Sequence, residues 1–345
     1  QGPLSSMYIA GYRIAMLIAG AGSLWLAALF GTETYSQDVW KNVYLIMSIF
    51  MLVGIFATIS SEEPKTQKTL KKDNHFKFLL TIFFAVIGFI LLYSIINNPY
   101  EKNDIFLSFI FSVARLVICF IFAFFIINFL ILTKFTSKQK ISQSYLSPII
   151  NFLTRYGKFA FLILLLISLY RIADVVMGVM ANIFYLEKGY KISEIATFSK
   201  FFGVFATIFG GFIGGYCSYR FGTMKALFFG ALIAALSNLL FAWLAVSPIS
   251  IDFLIAVITA DNISSGFAGA AFVIYLSGLT SIKFTATQYA LFSSIMLFLP
   301  KLIAGYAGSW VDVMGYAYFF SFTAFLGIPV LFLILWIGKV APIKN

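Results

Sequence analysis

The stretch FLILLLISLYRIADVVMGVMANIFYL (residues 161–186) decides the fold. Wound as an α-helix it is about 39 Å long at ~1.5 Å per residue. That exceeds the hydrocarbon thickness of a bilayer, about 30 Å. Two charges, Arg171 and Asp174, interrupt the apolar run. They stand three residues apart and so share a helix face. In hydrocarbon a charge is costly unless it is paired or hydrated, and intramembrane ionisable residues are functional candidates by default.

The rest of the chain extends this pattern. Of 345 residues, 61% are hydrophobic and 11% charged, where a soluble domain carries about 25% charged residues. Lipid suits this much apolar surface, and an aqueous fold does not. Ten apolar stretches reach spanning length: 7–30, 39–60, 76–96, 105–132, 159–186, 194–219, 223–246, 251–277, 285–308 and 315–337. The expected fold class is therefore an all-α polytopic membrane protein of about ten transmembrane helices.

The net charge of +11 does not point to nucleic acid, because the basic residues sit in short loops between apolar runs. Lys65, Lys68, Lys71, Lys72 and Lys77 precede or open the third span; Lys134, Lys138, Lys140, Arg155 and Lys158 lie between the fourth and fifth. Arg220, Lys225, Lys283, Lys339 and Lys344 fall on the same side. The opposite side carries the acids Glu33, Asp38, Glu101, Asp104, Glu187, Glu194, Asp252 and Asp312. By the positive-inside rule both ends are expected in the cytoplasm, in a bacterial inner membrane.

Several chemistries are excluded. Cys119 and Cys217 lie inside apolar runs, and His75 is the one histidine, so no disulfide framework, CxxC site or His-based metal site is expected. No HExxH, G-x-S-x-G or P-loop occurs. We expect no cofactor, no metal and no enzyme. No signal peptide is visible, and the chain opens at Gln1 in mid-pattern. We expect it to be the C-terminal part of a longer protein or the product of a disrupted gene.

The intramembrane charges form a pattern. Besides Arg171 and Asp174 they are Arg13, Arg115, Lys200, Asp261 and Lys301. The last six spans read as two triplets. Each triplet has an Asp on its first span (Asp174, Asp261) and a Lys on its second (Lys200, Lys301). Secondary transporters are often built from such repeats, with the site near mid-bilayer. The helical rise puts Asp261, Lys200 and Lys301 about 10–15 Å from the periplasmic ends of their spans, so all four are expected to converge near the bilayer centre. Arg171 and Asp174 are read either as a structural ion pair or as a pair handling protons or substrate. Lys200 and Lys301 either meet substrate carboxylates or neutralise the aspartates. Arg115 and Arg13 are read as snorkelling or locally paired.

The glycines Gly210, Gly211, Gly214 and Gly215 form two overlapping GxxxG spacings, which permit close helix approach. Pro300 beside Lys301, followed by Gly305 and Gly308, predicts a kink. Trp40, Trp310 and Tyr316 read as interface anchors. Spans three and four are plain Phe, Ile and Leu, whereas the last six are rich in Gly, Ala and Ser.

The turn Gly215-Tyr216-Cys217-Ser218-Tyr219-Arg220-Phe221-Gly222, with Lys225, resembles the loop motif G-x-x-x-[DE]-R-x-G-x-[RK]-[RK] of the major facilitator superfamily; Tyr219 holds the acidic position. A closer resemblance is to the AmpG-type muropeptide permeases. It is carried by Gly11-Tyr12-Arg13, Leu24-Trp25-Leu26-Ala27, Tyr170-Arg171-Ile172-Ala173-Asp174, Ser199-Lys200, Ser237-Asn238 and Asp261-Asn262 with Gly266. Ala270-Ala271-Phe272-Val273, Gly308-Ser309-Trp310 and the specific run Thr285-Ala286-Thr287-Gln288-Tyr289-Ala290-Leu291 add to it. The family has Glu where Asp261 stands and Arg where Lys301 stands.

The resemblance implies a division into three parts. Residues 1–60 would be the last two helices of an incomplete N-terminal half, 61–158 an inserted helix pair, and 159–345 a C-terminal six-helix bundle. It further implies proton symport of anhydro-muropeptides in peptidoglycan recycling. The expected partners are an anionic glycopeptide, protons, the lipid bilayer and a separate chain supplying missing helices. The substrate and proton pathway would comprise Arg171, Asp174, Lys200, Asp261, Asn262, Gln288 and Lys301. Two alternatives stay open: transport of another anionic metabolite such as an acyl-CoA, and an inactive or split-gene remnant.

Overall fold

The computed structural model describes residues 11, 14–16, 18–30, 37–60, 75–100, 104–142 and 146–340. Among them there is no β-strand. The helices are α1 (Ser23–Phe30), α2 (Gln37–Ser60), α3 (His75–Ile95), α4 (Ile105–Leu132), α5 (Ser147–Tyr156), α6 (Ala160–Leu169) and α7 (Ile172–Lys188), then α8 (Gly203–Phe221), α9 (Thr223–Val246), α10 (Ile251–Leu279), α11 (Thr285–Ala304), α12 (Ala307–Phe325) and α13 (Gly327–Val340). Among the described residues nine helical stretches are long and apolar enough to cross a membrane. They answer to nine of the ten expected spans. The remaining one, 7–30, falls partly outside the described residues, and so does Arg13; its described end is a π-helical turn, Ile18–Gly22, running into α1.

Burial separates the helices. Only 6% of the apolar window of α4 is buried, against 50% for α9. Spans α2 to α4 therefore leave most of their surface uncovered by the described residues, while the core lies between Phe152 and Ile337. There α10 packs against α8 and α9, α9 against α12 and α13, and α11 against α6 and α7. An aromatic cluster fills the centre of one end: the Phe320 ring lies 5.0 Å from Phe184 and 5.3 Å from Phe241.

The α8–α10 crossing is backbone on backbone. A β-carbon on Gly210 would strike the Ile263 carbonyl, one on Gly214 the Phe267 carbonyl, and one on Gly266 the Thr207 carbonyl. Of the two GxxxG spacings, the 210/214 pair makes the tight contact; nothing lies within 4 Å of a β-carbon on Gly215. Gly222 then turns the chain directly from α8 into α9 at a φ of 92°, a conformation glycine adopts without steric cost.

The α12 segment is two arms rather than a rod. Gly315 leaves the helical region at φ 76° and ψ 164°. The rings of Trp310 and Phe322 stand 5.3 Å apart, although twelve residues of straight helix would separate them by about 18 Å. The chain doubles back at Gly315, so the expected last span begins there. The preceding span bends at Gly305–Tyr306 after Pro300, where Gly305 N–H donates to the Lys301 carbonyl at 3.1 Å.

The α3–α4 hairpin rests on this bend. Tyr306 Oη lies 2.8 Å from Ser112 Oγ and 3.3 Å from Ser108 Oγ. Asn98 Nδ2 donates to both serine hydroxyls from the hairpin loop. Arg115 stacks on the Tyr93 ring at 3.6 Å and donates to the Tyr93 carbonyl, so it is locally paired within the hairpin.

Candidate functional site

The deciding stretch 161–186 is not one continuous helix. It breaks at Tyr170–Arg171, where α6 ends and α7 begins. Arg171 has φ −97° and ψ 11° and stands as the N-cap of α7. In lipid, backbone groups freed by such a break need partners from neighbouring helices. Tyr170 Oη donates to the Leu227 carbonyl at 3.2 Å, and its ring stacks on Phe272 at 4.4 Å. Asn238, 1% exposed, donates from Nδ2 to the Ala173 carbonyl and to Thr323 Oγ1, both at 3.2 Å.

The break creates a helix N-terminus inside a span. Asp174 occupies the first turn of α7, where the partial positive charge of the helix end favours a carboxylate. Arg171 Nη2 forms an ion pair with Asp174 Oδ2, the one salt bridge among the described residues. The two side chains are 24% and 15% exposed. Arg171 Nη2 also reaches Ser265 Oγ at 3.4 Å, and its Nη1 lies against Gly269 of α10. Arg171 Nε is buried without a partner. The guanidinium therefore has a donor to spare, and its Nη1 and Nη2 both reach residues of α10.

Asp261 stands on α10 one turn before Ser265, the residue that Arg171 Nη2 reaches, and so shares its helix face. Two buried hydroxyls attend it. Ser237 Oγ of α9 stands 3.5 Å from Asp261 Oδ1, and Ser264 Oγ stands 3.1 Å from Ser237 Oγ. Each hydroxyl has a competing backbone acceptor: Ala234 for Ser237 at 2.9 Å and the Asp261 carbonyl for Ser264 at 2.8 Å. The pair can therefore turn toward the carboxylate or away from it as its charge changes.

The other expected site residues divide. Asn262 is turned to α8 instead: its Oδ1 accepts from Thr207 Oγ1 at 2.9 Å, and its amide lies against Gly203. Lys200 belongs to a π-helical turn, Ala196–Phe202, a geometry that recurs at functional sites; its side chain lies outside the described residues. Lys301 follows Pro300 on α11 with an exposed side chain and no ion pair among the described residues. Gln288 is fully buried at the far end of α11, about 20 Å along the helix from Lys301. It accepts from Ser281 N–H at 2.7 Å and donates to the Pro148 carbonyl at 2.8 Å, tying α11 to α5. The structure thus gathers Arg171, Asp174 and Asp261, and leaves Gln288 and Asn262 in contacts of their own.

Sequence reasoning did not place Tyr170, Ser237, Asn238, Ser264, Ser265 and Thr323 in this cluster. Tyr170, Ser237 and Asn238 stood out only as part of the family resemblance, and Ser264, Ser265 and Thr323 only as polar residues inside apolar spans. Among the described residues, no three of His, Cys, Asp and Glu come together to hold a metal ion. A cavity of about 340 Å³ lies elsewhere, at the Lys188 end of α7, lined by Phe184, Glu187, Lys188, Ala245, Tyr316 and Ala317.

No protein-family model matches the chain. Its sequence is 31% identical over 335 residues to AmpG 4 of Rickettsia felis, covering 97% of this chain and 64% of that protein. It is 29% identical over 338 residues to AmpG 4 of Rickettsia conorii, covering 98% and 65%, and 28% identical over 331 residues to AmpG 1 of Rickettsia conorii, covering 96% and 64%. All three are named as transporters. The chain spans 64–65% of the length of these relatives. The matched stretch takes in nearly the whole chain, residues 61–158 included.

Proposed function

We propose, from the premise that the chain belongs with the AmpG-type transporters, that it carries the coupling site of a proton-driven importer of anhydro-muropeptides in a bacterial inner membrane. The observation that supports this is the Arg171–Asp174 pair at the break between α6 and α7, with Asp261 one turn from the Ser265 that Arg171 reaches. Such a site can exchange partners. Asp261 takes up a proton and no longer competes for Arg171. A carboxylate of the glycopeptide then meets the free guanidinium donors, and Asp174 holds the arginine in place. Lys200 and Lys301 add positive charge for an anionic substrate, while Asn262 and Gln288 brace the helices that carry them. Ser237 and Ser264 follow the charge of Asp261.

On the same reading, residues 1–60 close one half of the transporter, 61–158 form an inserted pair and 159–345 form the other half. Both ends face the cytoplasm, and further helices, from the same or a separate chain, complete the cavity.

The test is uptake of labelled anhydro-muropeptide into proteoliposomes under an imposed proton gradient. Asp261→Asn is expected to abolish gradient-driven uptake while substrate exchange persists. Uptake equal to that of the unaltered protein would overturn the assignment of Asp261. Competition by an acyl-CoA, with none by muropeptide, would replace the substrate class and leave the coupling site standing.

A further inference from the structure

We propose that α4 splints the bend of α11, so that Ser112, Phe120, Phe298 and Tyr306 are positioning residues for Lys301. Pro300 leaves α11 soft at this point. It has no N–H for the Met296 carbonyl, and a helix bends where that bond is lost. The ladder is irregular again on the far side, where Tyr306 N–H turns to the Ile303 carbonyl, three residues back, at 3.1 Å. Lys301 stands between these two points, exposed and with no ion pair among the described residues. With no counter-charge there to hold it, its place follows the angle of the bend.

Both arms of the bend touch α4. Before it, the Phe298 ring meets Phe120 edge-on at 6.3 Å. After it, Tyr306 Oη lies 2.8 Å from Ser112 Oγ, and the Tyr306 ring meets Phe109 edge-on at 5.6 Å. The two contacts have matching spacing. Phe298 and Tyr306 are eight residues apart, and so, in the opposite direction, are Phe120 and Ser112. Eight residues of helix rise about 12 Å, and α4 runs unbroken from Ile105 to Leu132. An unbroken helix fastened to both sides of a bend holds its angle, since neither arm can swing without losing a contact. The hydroxyl end is itself set in place: Asn98 Nδ2 donates to Ser112 Oγ at 3.2 Å and to Ser108 Oγ at 2.9 Å. Arg115, the one charged residue of α4, stacks on the Tyr93 ring of α3 at 3.6 Å, so its charge is committed within the hairpin.

A role for Lys301 toward the substrate rests on the transporter reading above; the splint does not, and two readouts separate them. The first is the acetylation rate of Lys301 in the purified chain, followed by peptide mass spectrometry with Lys283 and Lys339 as internal references. Tyr306→Phe and Ser112→Ala are each expected to change that rate about threefold, the equivalent of ~0.6 kcal/mol, one average hydrogen bond between membrane helices. Ser112→Thr, which keeps the hydroxyl, is expected to restore it. The second is uptake of labelled anhydro-muropeptide into proteoliposomes, where the first two variants are expected to raise KM about threefold, by the same conversion, with kcat unchanged. A Lys301 rate unchanged in both variants would overturn the splint, and so would a Ser112→Thr rate that follows Ser112→Ala. A changed rate with an unchanged KM would uphold the splint and remove Lys301 from the substrate site.

Discussion

The Nδ2 of Asn238 donates to the carbonyl of Ala173 at 3.2 Å, two residues past the point where the charged span breaks. A residue of α9 thereby steadies the first turn of α7. Its Oδ1 is buried without a partner. Asn238→Ala removes the bonds to the Ala173 carbonyl and to Thr323 Oγ1, each worth about 0.5–1.5 kcal/mol. We expect a lower melting temperature in detergent, and expect Asn238→Asp, which keeps the size but not the donor, to fall with it.

Arg171 and Asp174 form a partly buried pair, and removing one partner strands the other. Arg171→Met and Asp174→Leu are each expected to cost about 3–5 kcal/mol. The double variant is expected to lose clearly less than the sum, because no lone charge remains. A thermal-unfolding cycle of the four proteins measures the difference, and strict additivity would show that the pair is not coupled.

The α8–α10 crossing makes a sharper comparison. Gly266→Ala places a methyl group against the Thr207 carbonyl, whereas Gly215→Ala meets nothing within 4 Å. Overpacking of this kind costs about 1–3 kcal/mol. An unencumbered surface change stays within about 0.5 kcal/mol. Melting temperatures of the two variants should therefore separate.

Tyr306 is the polar link between the α3–α4 hairpin and the bend of α11. Hydrogen bonds between membrane helices contribute about 0.6 kcal/mol on average and about 1.7 at most. Tyr306→Phe and Ser112→Ala are expected to destabilise by amounts in this range. A double-mutant cycle should show them coupled, since each removes the same 2.8 Å contact.

The spans were legible because lipid demands long apolar runs, and the expected start of the last span fell at Gly315, where the chain does reverse. The break at Tyr170–Arg171 was not legible. The apolar pattern continues across it, and only contacts from α9 and α10 decide that the backbone departs from helix there. For the same reason the contacts of Ser237 and Ser264 near Asp261 were not legible: a serine in a membrane helix reads alike whether it bonds its own carbonyl or a neighbouring carboxylate. The Arg171–Asp174 pairing was readable from a spacing of three, but its approach to Asp261 depends on how α7 and α10 cross. For Lys301 the triplet pattern suggested convergence, and the structure places it beside Pro300 on α11 with an exposed side chain.

The glycine contacts between α8 and α10 also bear on how this chain can drift. Every single-nucleotide change of a glycine codon that alters the residue adds at least a β-carbon. At Gly210, Gly214 and Gly266 that atom would collide with a backbone carbonyl, which has no rotamer with which to yield. At Gly215 and Gly308 it would meet open space. Two glycine populations thus sit within a few turns of each other, one mutationally closed and one free to wander, and a random-mutagenesis library should recover substitutions almost wholly from the second.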